Sequence, residues 1–384
     1  MYRVKFAAFT ISAFLTLAIA LPPSVAQVAD QDFKQQVNAN TVTIMGGSLT
    51  GTYIRLADDI ARAVNRGNDL RILPMKGGVL TNVRDVLYLR GIDMGFIRAD
   101  VMETFRGKRH YEDLENRLNY IAVMHLEEFH VMTSKPEIKS IDDLQGKVVA
   151  FHNQTHVSGL LLLKKLGIKV KKAIKGTMFT GAAKTKTGEY DAIIRITGKP
   201  FRGVGRLLKI DPNLRLIPIP YRDVLFDSLY IPAKVSHEDY PEFLKECQEV
   251  ETVAVNAMLG VYNWKPGTDR YRRLVKFTNA FFSNIDKIKK RPGRHKKWDT
   301  ISIAAEKKGW RRFPPAAEWI NKRNAKLAQS RQVRQQVLYG RFKKFIESNP
   351  QVKNAANGKP VNSDQMFDKF LEWWQRNRQS GQQN

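Results

Sequence analysis

A glycine-rich turn between a β-branched run and an amphipathic segment limits most strongly what this chain can form. The run 41–44 ends at Gly46-Gly47, and Gly51 precedes a segment, 53–64, whose apolar residues recur at helical spacing. The pattern predicts a strand, a tight turn and a helix. Helix N-termini present unpaired N–H groups and glycines let ligands approach the backbone, so the turn can bind a carboxylate or phosphate. Its glycine spacing does not match the dinucleotide-binding signature G-x-G-x-x-G, and Thr52 stands where the phosphate-binding P-loop needs Lys. A turn with a purely structural role is the simpler alternative.

The first residues have the features of an export signal. Arg3 and Lys5 precede an apolar run, 7–21, and Ser24-Val25-Ala26 supplies the small residues that signal peptidases require. We therefore expect a signal peptide over 1–26, cleavage after Ala26, and a soluble periplasmic protein. An uncleaved anchor is the alternative, although the run is shorter than the roughly 20 residues of a membrane span.

Charge and cysteine content restrict the partners and the cofactors. Lys and Arg total 64 against 37 Asp and Glu, a net charge of +27, which attracts polyanions. For an exported protein these are anionic envelope surfaces rather than nucleic acid, and a solvated basic surface without a specific partner is the simpler interpretation. Cys247 is the only cysteine, so an intrachain disulfide and a cysteine metal site are excluded.

Short strands alternate with helices along most of the chain. We expect strands near 70–75, 91–97, 120–124, 147–151, 190–196 and 214–219, with helices over 79–89 and 159–166. This alternation predicts an α/β fold with mostly parallel sheets flanked by helices. Ligands bind such sheets beyond the carboxyl ends of the strands. The loops 46–52, 76–78, 97–99 and 152–158 take those positions.

The ordered set of motifs resembles the TAXI subfamily of TRAP-transporter solute-binding proteins. The matching segments are Gly46-Gly47 with Gly51-Thr52-Tyr53, Gly77-Gly78 with Asn82-Val83, 91–101, 144–149 and 188–192. They span roughly residues 40–320. The resemblance implies a two-lobed periplasmic binding protein that closes on a small anionic solute and delivers it to permease subunits. Lys76 and Arg98 are more basic than such positions usually are, which favours an anion.

The same comparison implies a division into lobes. Residues 27–39 are expected to form an N-terminal linker, 40–125 and 231–320 the first lobe, and 126–230 the second.

The tail, residues 321–384, carries 13 basic residues against 4 acidic ones. Apolar residues recur at helical spacing on either side of a loop, 348–363. We expect two amphipathic basic helices that pack on the main body. Binding to a partner or to an anionic membrane surface is the alternative.

The candidate binding residues surround the predicted cleft. They are Gly47, Ser48, Thr50, Gly51, Thr52, Tyr53, Gly78, Asn82, Arg98, Thr155, Ser158 and Arg195. Arg98 is expected to clamp a carboxylate bidentately, and Arg195 and Thr197 are weaker candidates. Capping or turn formation is the competing role for Ser48, Thr50 and Ser158.

The sequence favours a binding protein over an enzyme. His125 and His130 are five residues apart, whereas a zinc-peptidase helix needs four, and the segment between them reads as a polar crossover between lobes. No nucleophile elbow or carboxylate pair stands out, so no catalytic residue, metal or cofactor is expected. An envelope polyanion-binding or sensory protein is the alternative, and a hydrolase on the same fold is a further one.

Overall fold

The computed structural model describes residues 25–226, 229–348, 367, 368, 370 and 371. The expected signal peptide lies outside these residues, apart from Val25 and Ala26. So do most of the expected loop 348–363 and most of the second tail helix. Within the described part of the chain, no helix is both long enough and apolar enough to cross a membrane.

Ten strands form one continuous sheet. They are β1 Thr41–Met45, β2 Arg71–Met75, β3 Met94–Arg98, β4 Leu118–Thr133, β5 Val148–His152, β6 Lys172–Gly176, β7 Ala192–Thr197, β8 Arg215–Ile217, β9 Tyr230–Ser236 and β10 Glu249–Tyr262. β1 reaches its predicted end at the glycine turn, because Met45 is followed by Gly46, whose added Cβ would lie 2.9 Å from the Ile54 Cα. The turn therefore requires glycine there.

The α-helices of the described chain surround that sheet. They are α1 Val25–Asn38, α2 Thr52–Val64, α3 Thr81–Tyr88, α4 Ala99–Phe105, α5 Leu114–Arg117, α6 His156–Lys165, α7 Met178–Lys186, α8 Val204–Ile210, α9 Asp269–Ser283, α10 Ile285–Lys290 and α11 Pro314–Ser348. In α2, the apolar spacing read from the sequence matches the buried face, which includes Leu56, Ile60 and Val64. Packing of that face against the sheet stabilises the helix.

Two long strands divide the sheet into two lobes. The strand order is β2-β1-β3-β10-β4-β7-β5-β6, with β8 beside β4 and β9 beside β10. Each end of this order has three parallel strands, β1 to β3 in one lobe and β5 to β7 in the other. β4 and β10 run antiparallel through the middle and belong to both lobes. The predicted α/β class and its two lobes are confirmed, with antiparallel crossover strands in addition to the parallel ones.

The hydrophobic cores follow the same division. One large core joins the buried faces of α2 and α9 to the first-lobe strands and includes the fully buried Trp298. The second lobe packs Phe129, Phe151 and Ile194 between α6 and its sheet. Val253 and Val255, at the start of β10, belong to this second core, and Val235 and Tyr240 belong to a further second-lobe cluster. The sequence-based boundary at 231 is therefore better placed near 256, and we propose that amended division.

Three strands escaped the sequence interpretation. β6, β9 and β10 are absent from the strands expected from the sequence. Cys247 adopts a positive φ of 63° in the turn before β10. The β-branched run Val250, Thr252, Val253 in alternation with polar residues was the signal for a strand.

The predicted start of the tail, residue 321, lies inside a helix. α11 starts at Pro314, packs on the body through Ala316 and Ile320, and continues to Ser348. Beyond Ile320 its side chains are exposed as far as Arg341, except for the half-buried Leu338. The expectation that this part of the tail packs on the lobes is therefore wrong. Its aromatic residues pack on each other instead: the Phe342 and Phe370 ring centroids are 5.3 Å apart.

Candidate ligand-binding cleft

A cleft of about 390 Å³ lies between the lobes at the carboxyl ends of their parallel strands. The first lobe contributes the turns after β1 and β2, and the second lobe contributes the loops after β5 and β7. The lining residues are Gly47, Ser48, Gly51, Thr52, Tyr53, Lys76, Gly77, Gly78, Val79, Glu127, His152, Asn153, Gln154, Thr155, Lys175, Arg195, Ile196 and Thr197. This is where open α/β sheets bind ligands.

The opening glycine turn presents the N-terminus of α2 to the cleft. Gly51 occupies the position before the helix, and no side chain caps the first turn. Its own N–H donates to the Ser48 carbonyl at 2.8 Å, which closes the turn. The first N–H groups of α2 therefore have no side-chain acceptor, and the helix end favours negative charge.

Asn82 holds the two glycine turns together from behind. Its side-chain amide donates to the Gly46 and Phe96 carbonyls, both at 2.8 Å, and its Oδ1 accepts the Gly78 N–H at 2.9 Å. It is fully buried and does not line the cleft. Asn82, a predicted ligand contact, thus positions the turns that do face the cleft. A Cβ at Gly77 would lie 2.3 Å from the Asn82 Oδ1, so that turn also requires glycine.

Arg195 places a cation in the cleft wall at the end of β7. Its guanidinium lies 4.5 Å from the Phe201 ring centroid and contacts the Met178 sulfur. Among the described residues no carboxylate lies at ion-pair distance from it, and its buried Nε–H has no hydrogen-bond partner. Burial lowers the pKa of Arg195 to about 10, so it stays charged at neutral pH. A partly buried cation without a counter-ion among the described residues favours binding of an anion.

Glu127 is the carboxylate that lines this cleft, and it is already paired. Its Oε2 accepts from the Arg98 Nη1 at 3.1 Å, and its Oε1 lies 3.7 Å from the His125 Nε2. Burial alone would raise the pKa of Glu127, but His125 and Arg98 outweigh it and lower the pKa, so the group is ionised. The same charge, together with burial as the larger cause, raises the pKa of the neighbouring Tyr53 phenol. Tyr53 is therefore a neutral hydrogen-bond donor.

His152 lines the second-lobe side as a neutral ring. Its Nδ1 accepts the Met178 N–H at 3.1 Å, which leaves the proton on Nε2. Burial, with a smaller contribution from Arg195, lowers the pKa of His152 to about 4. At neutral pH this ring is uncharged, and its Nε2 lies 3.3 Å from the side-chain amide nitrogen of Asn153.

Arg98 does not occupy the predicted ligand-clamp position. It is fully buried, and its Nε and Nη2 donate bidentately to Asp100 at 2.7 and 3.0 Å, while Nη2 also bonds the Ser158 hydroxyl. Burial opposes its charge, but Asp100 and Glu127 raise the pKa of Arg98 above its ordinary value. The guanidinium already donates its hydrogen bonds to acceptors inside the protein. Since Ser158 lies on α6, the bond joins the lobes behind the cleft.

Eight of the twelve candidate residues line the cleft and four do not. Those on the lining are Gly47, Ser48, Gly51, Thr52, Tyr53, Gly78, Thr155 and Arg195. Arg98, Ser158 and Asn82 lie in the interior, and Thr50 is exposed outside the lining. For these four residues we propose structural or surface roles in place of ligand contact.

The cleft also contains residues that sequence reasoning left out. Glu127 was interpreted only as part of a polar crossover, and Lys175 lies on the unexpected strand β6. Lys76 was noted for its charge but not included among the candidates. A carboxylate in the middle of a long apolar strand and a lysine just before a glycine at a strand end were the available signals.

Gln154 crosses the cleft from the second lobe to the first. Its Oε1 accepts the Leu80 N–H at 3.0 Å. A Cβ at Gly78 would lie 2.4 Å from the Gln154 Nε2, so the contact depends on that glycine. The lobes therefore touch across the mouth of the cleft.

A second depression lies away from the lobe interface. It measures about 950 Å³ and is bordered by α1, β1 and α9. Its arginines Arg270 and Arg273 already face Asp93 at 3.7 and 3.6 Å. Because these two arginines already face a carboxylate, we place the site in the interlobe cleft. Among the described residues, no three His, Cys, Asp or Glu side chains cluster closely enough to hold a metal ion.

The lobes, the two crossover strands and the cleft together define a periplasmic-binding-protein fold. No protein-family model matches the chain, and no curated protein matches it. Solved structures similar to it include the periplasmic VFT2 domain of BvgS from Bordetella pertussis, with 12% identity, 67% of this chain and 94% of that one covered, and a TM-score of 0.39.

Two further similar structures come from other bacteria. One is the GluR0 ligand-binding core from Nostoc punctiforme in complex with (L)-glutamate, at 14% identity, 64% and 93% coverage and a TM-score of 0.36. The other is the arginine-, lysine-, histidine-binding protein ArtJ from Geobacillus stearothermophilus, at 14% identity, 65% and 91% coverage and a TM-score of 0.37. Similarity at this level says nothing about function, and the fold assignment rests on the strand order of this chain.

Proposed function

We propose that this chain is an exported solute-binding receptor that captures a small anionic solute, a carboxylate or an acidic amino acid, between its two lobes. The main support for an anionic solute is Arg195, whose charged guanidinium lies in the cleft wall. Among the described residues no carboxylate lies at ion-pair distance from it. The uncapped N-terminus of α2 lines the same cleft. A bound carboxylate would satisfy both groups.

The charge balance of the cleft supports an anion. Lys76, Lys175 and Arg195 line it, one from the first lobe and two from the second, whereas Glu127 is paired with Arg98. Lys76 and Lys175 are exposed at the rim. Their charges raise the local concentration of anions. Water and salt screen these charges less when the lobes close around a solute.

Glu127 separates the two solute classes within the proposal. Its Oε1 and the Tyr53 phenol could hold the ammonium of an amino acid while Arg195 holds a carboxylate. A plain dicarboxylate would instead place its second carboxylate toward Lys76 or Lys175. Comparing an acidic amino acid with the dicarboxylate of the same chain length distinguishes these arrangements.

Delivery to a TRAP-type permease is the remaining part of the proposal. Its support is the ordered set of TAXI-like motifs, of which the first two pairs form the glycine turns of the cleft. The motif Gly91 to Val101 instead contains β3 and Arg98, which carry the interior ion-pair network. No role in catalysis, and no cofactor, is part of this function.

A thermal-shift screen of the mature protein tests the proposal. Carboxylates and acidic amino acids are compared with neutral and cationic metabolites of similar size. A solute present at 100 times its dissociation constant should stabilise the folded state by about 2.7 kcal/mol. If only neutral or cationic compounds raise the melting temperature, the assignment of an anionic solute is wrong.

A further inference from the structure

We propose that residues 321–343 of α11 form a docking surface for an anionic phospholipid bilayer. This segment contains seven basic and no acidic residues: Lys322, Arg323, Lys326, Arg331, Arg334, Arg341 and Lys343. It projects beyond the last contact of α11 with the body at Ile320 and extends about 35 Å at 1.5 Å per residue.

The charges are concentrated on one side of the helix. At about 100° per residue, all the basic residues except Lys343 project from one half of the circumference. The other half carries the uncharged set Asn324, Ala325, Ala328, Gln329, Gln332, Gln335 and Gln336. Tyr339 and Phe342 also project from that uncharged half, where their rings make edge-to-face contacts with Phe367. The aromatic contact therefore lies away from the basic half.

Exposed apolar side chains accompany the charges on the basic half. Leu327, Val333 and Val337 are about half exposed, at 48%, 52% and 51%. Basic residues attract lipid phosphates, and apolar residues between them can enter the boundary between headgroups and acyl chains. A polysaccharide offers no such boundary. A second copy of the helix would oppose like charges, so self-association through this surface is disfavoured.

Vesicle sedimentation with the full mature chain tests the proposal. The protein should bind vesicles that contain phosphatidylglycerol, should not bind pure phosphatidylcholine, and should dissociate as salt is raised. Replacement of Lys326, Arg331 and Arg334 by Gln should lower partitioning about 100-fold, because each basic residue near an anionic surface contributes roughly a factor of five.

Two matched comparisons make this test specific. Lys164→Gln, Lys165→Gln and Lys290→Gln together remove the same charge from other exposed sites and should leave partitioning near the wild-type level. Val333→Ser with Val337→Ser should weaken vesicle binding but leave retention on heparin unchanged. Circular dichroism should show unchanged folding for all variants, because the altered side chains are exposed.

Three results would overturn the proposal: no binding to phosphatidylglycerol vesicles, an equal loss in the control triple variant, or heparin binding with no effect of the valine changes on vesicles. The last would identify an acidic polysaccharide as the partner. The proposal shares only the expected export with the proposed function. Solute affinity of the α11 triple variant should be unchanged, so the two can fail separately.

Discussion

The Gln154 side chain of the second lobe accepts the backbone N–H of Leu80 in the first lobe at 3.0 Å. Leu80 follows the Gly77-Gly78 turn and directly precedes α3, so the bond ties a cleft-lining turn to the opposite wall. The Arg98–Ser158 contact behind the cleft is another direct polar link between the lobes.

Replacing Gln154 with Ala should favour an open arrangement of the lobes. The lost hydrogen bond should cost about 0.5–1.5 kcal/mol of the closed form. We expect a larger radius of gyration by small-angle X-ray scattering without solute, and weaker solute binding. Gln145→Ala is the matched control, because Gln145 accepts the Lys169 N–H within one lobe. Identical scattering from both variants would contradict a role for the Gln154–Leu80 hydrogen bond in holding the lobes closed.

Replacing Gly51 with Asp should abolish binding of an anionic solute. Gly51 has an ordinary extended conformation, with φ −83° and ψ 168°, so its backbone accepts a side chain once the Ser48 hydroxyl, 2.9 Å from an added Cβ, rotates away. An Asp at this position caps α2 with its own carboxylate and occupies the anion site. Gly51→Asn adds nearly the same volume without charge, and calorimetry should show binding about 2 kcal/mol tighter than for the Asp variant. Equal affinities would place the anion elsewhere.

Arg98→Ala should destabilise the protein rather than act on the ligand directly. The substitution leaves the buried Asp100 and Glu127 carboxylates without their cation. Breaking such a buried pair costs about 3–5 kcal/mol, measurable by urea denaturation. Arg62→Ala, which removes an exposed pair with Asp58, should change the midpoint little. A folded Arg98→Ala protein of unchanged stability that fails only in binding would restore Arg98 as a ligand clamp.

The interior position of Arg98 could not be predicted from the sequence. Its acceptors lie two, 29 and 60 residues away, at Asp100, Glu127 and Ser158, and only the tertiary fold brings them together. The turn before α2 was predictable because its signals are local: glycines, a β-branched run and helical apolar spacing. The cleft could be placed approximately for the same reason.

Arg195 shows the converse. It was a weak candidate because an arginine in the run Ile193 to Ile196 resembles any half-exposed strand residue. Its importance comes from the absence of a carboxylate at ion-pair distance among the described residues, and from the stacking on Phe201. Lys175 and Glu127 were missed for the same physical reason, since their approach to the cleft depends on strand pairing over long separations.

Acid should destabilise the protein through His152. Its folded pKa of about 4 lies below the unfolded value near 6.5, so the unfolded state binds more protons between these values. The contribution of the neutral His152 ring to the free energy of unfolding is therefore fully present above pH 6.5, and it is lost as the pH falls through about 4. His152→Asn keeps an acceptor for the Met178 N–H, so its melting temperature should fall less steeply between pH 6.5 and 4. Equal slopes would contradict the assignment, and a comparison at pH 7.5 corrects for the substitution itself.

Calorimetric titration of Arg195→Gln with the best solute from the screen tests whether Arg195 binds an anionic solute in the cleft. Gln keeps a polar side chain but removes the charge, so affinity should fall by about 2–5 kcal/mol, the cost of removing one partner of a buried charge pair. Arg206→Gln is the matched control, because Arg206 also stacks on an aromatic ring, 4.2 Å from the Phe179 centroid, yet lies outside the cleft lining. We expect this weakening of anion binding for Arg195→Gln and wild-type binding for Arg206→Gln. Retention of wild-type affinity by Arg195→Gln would contradict it.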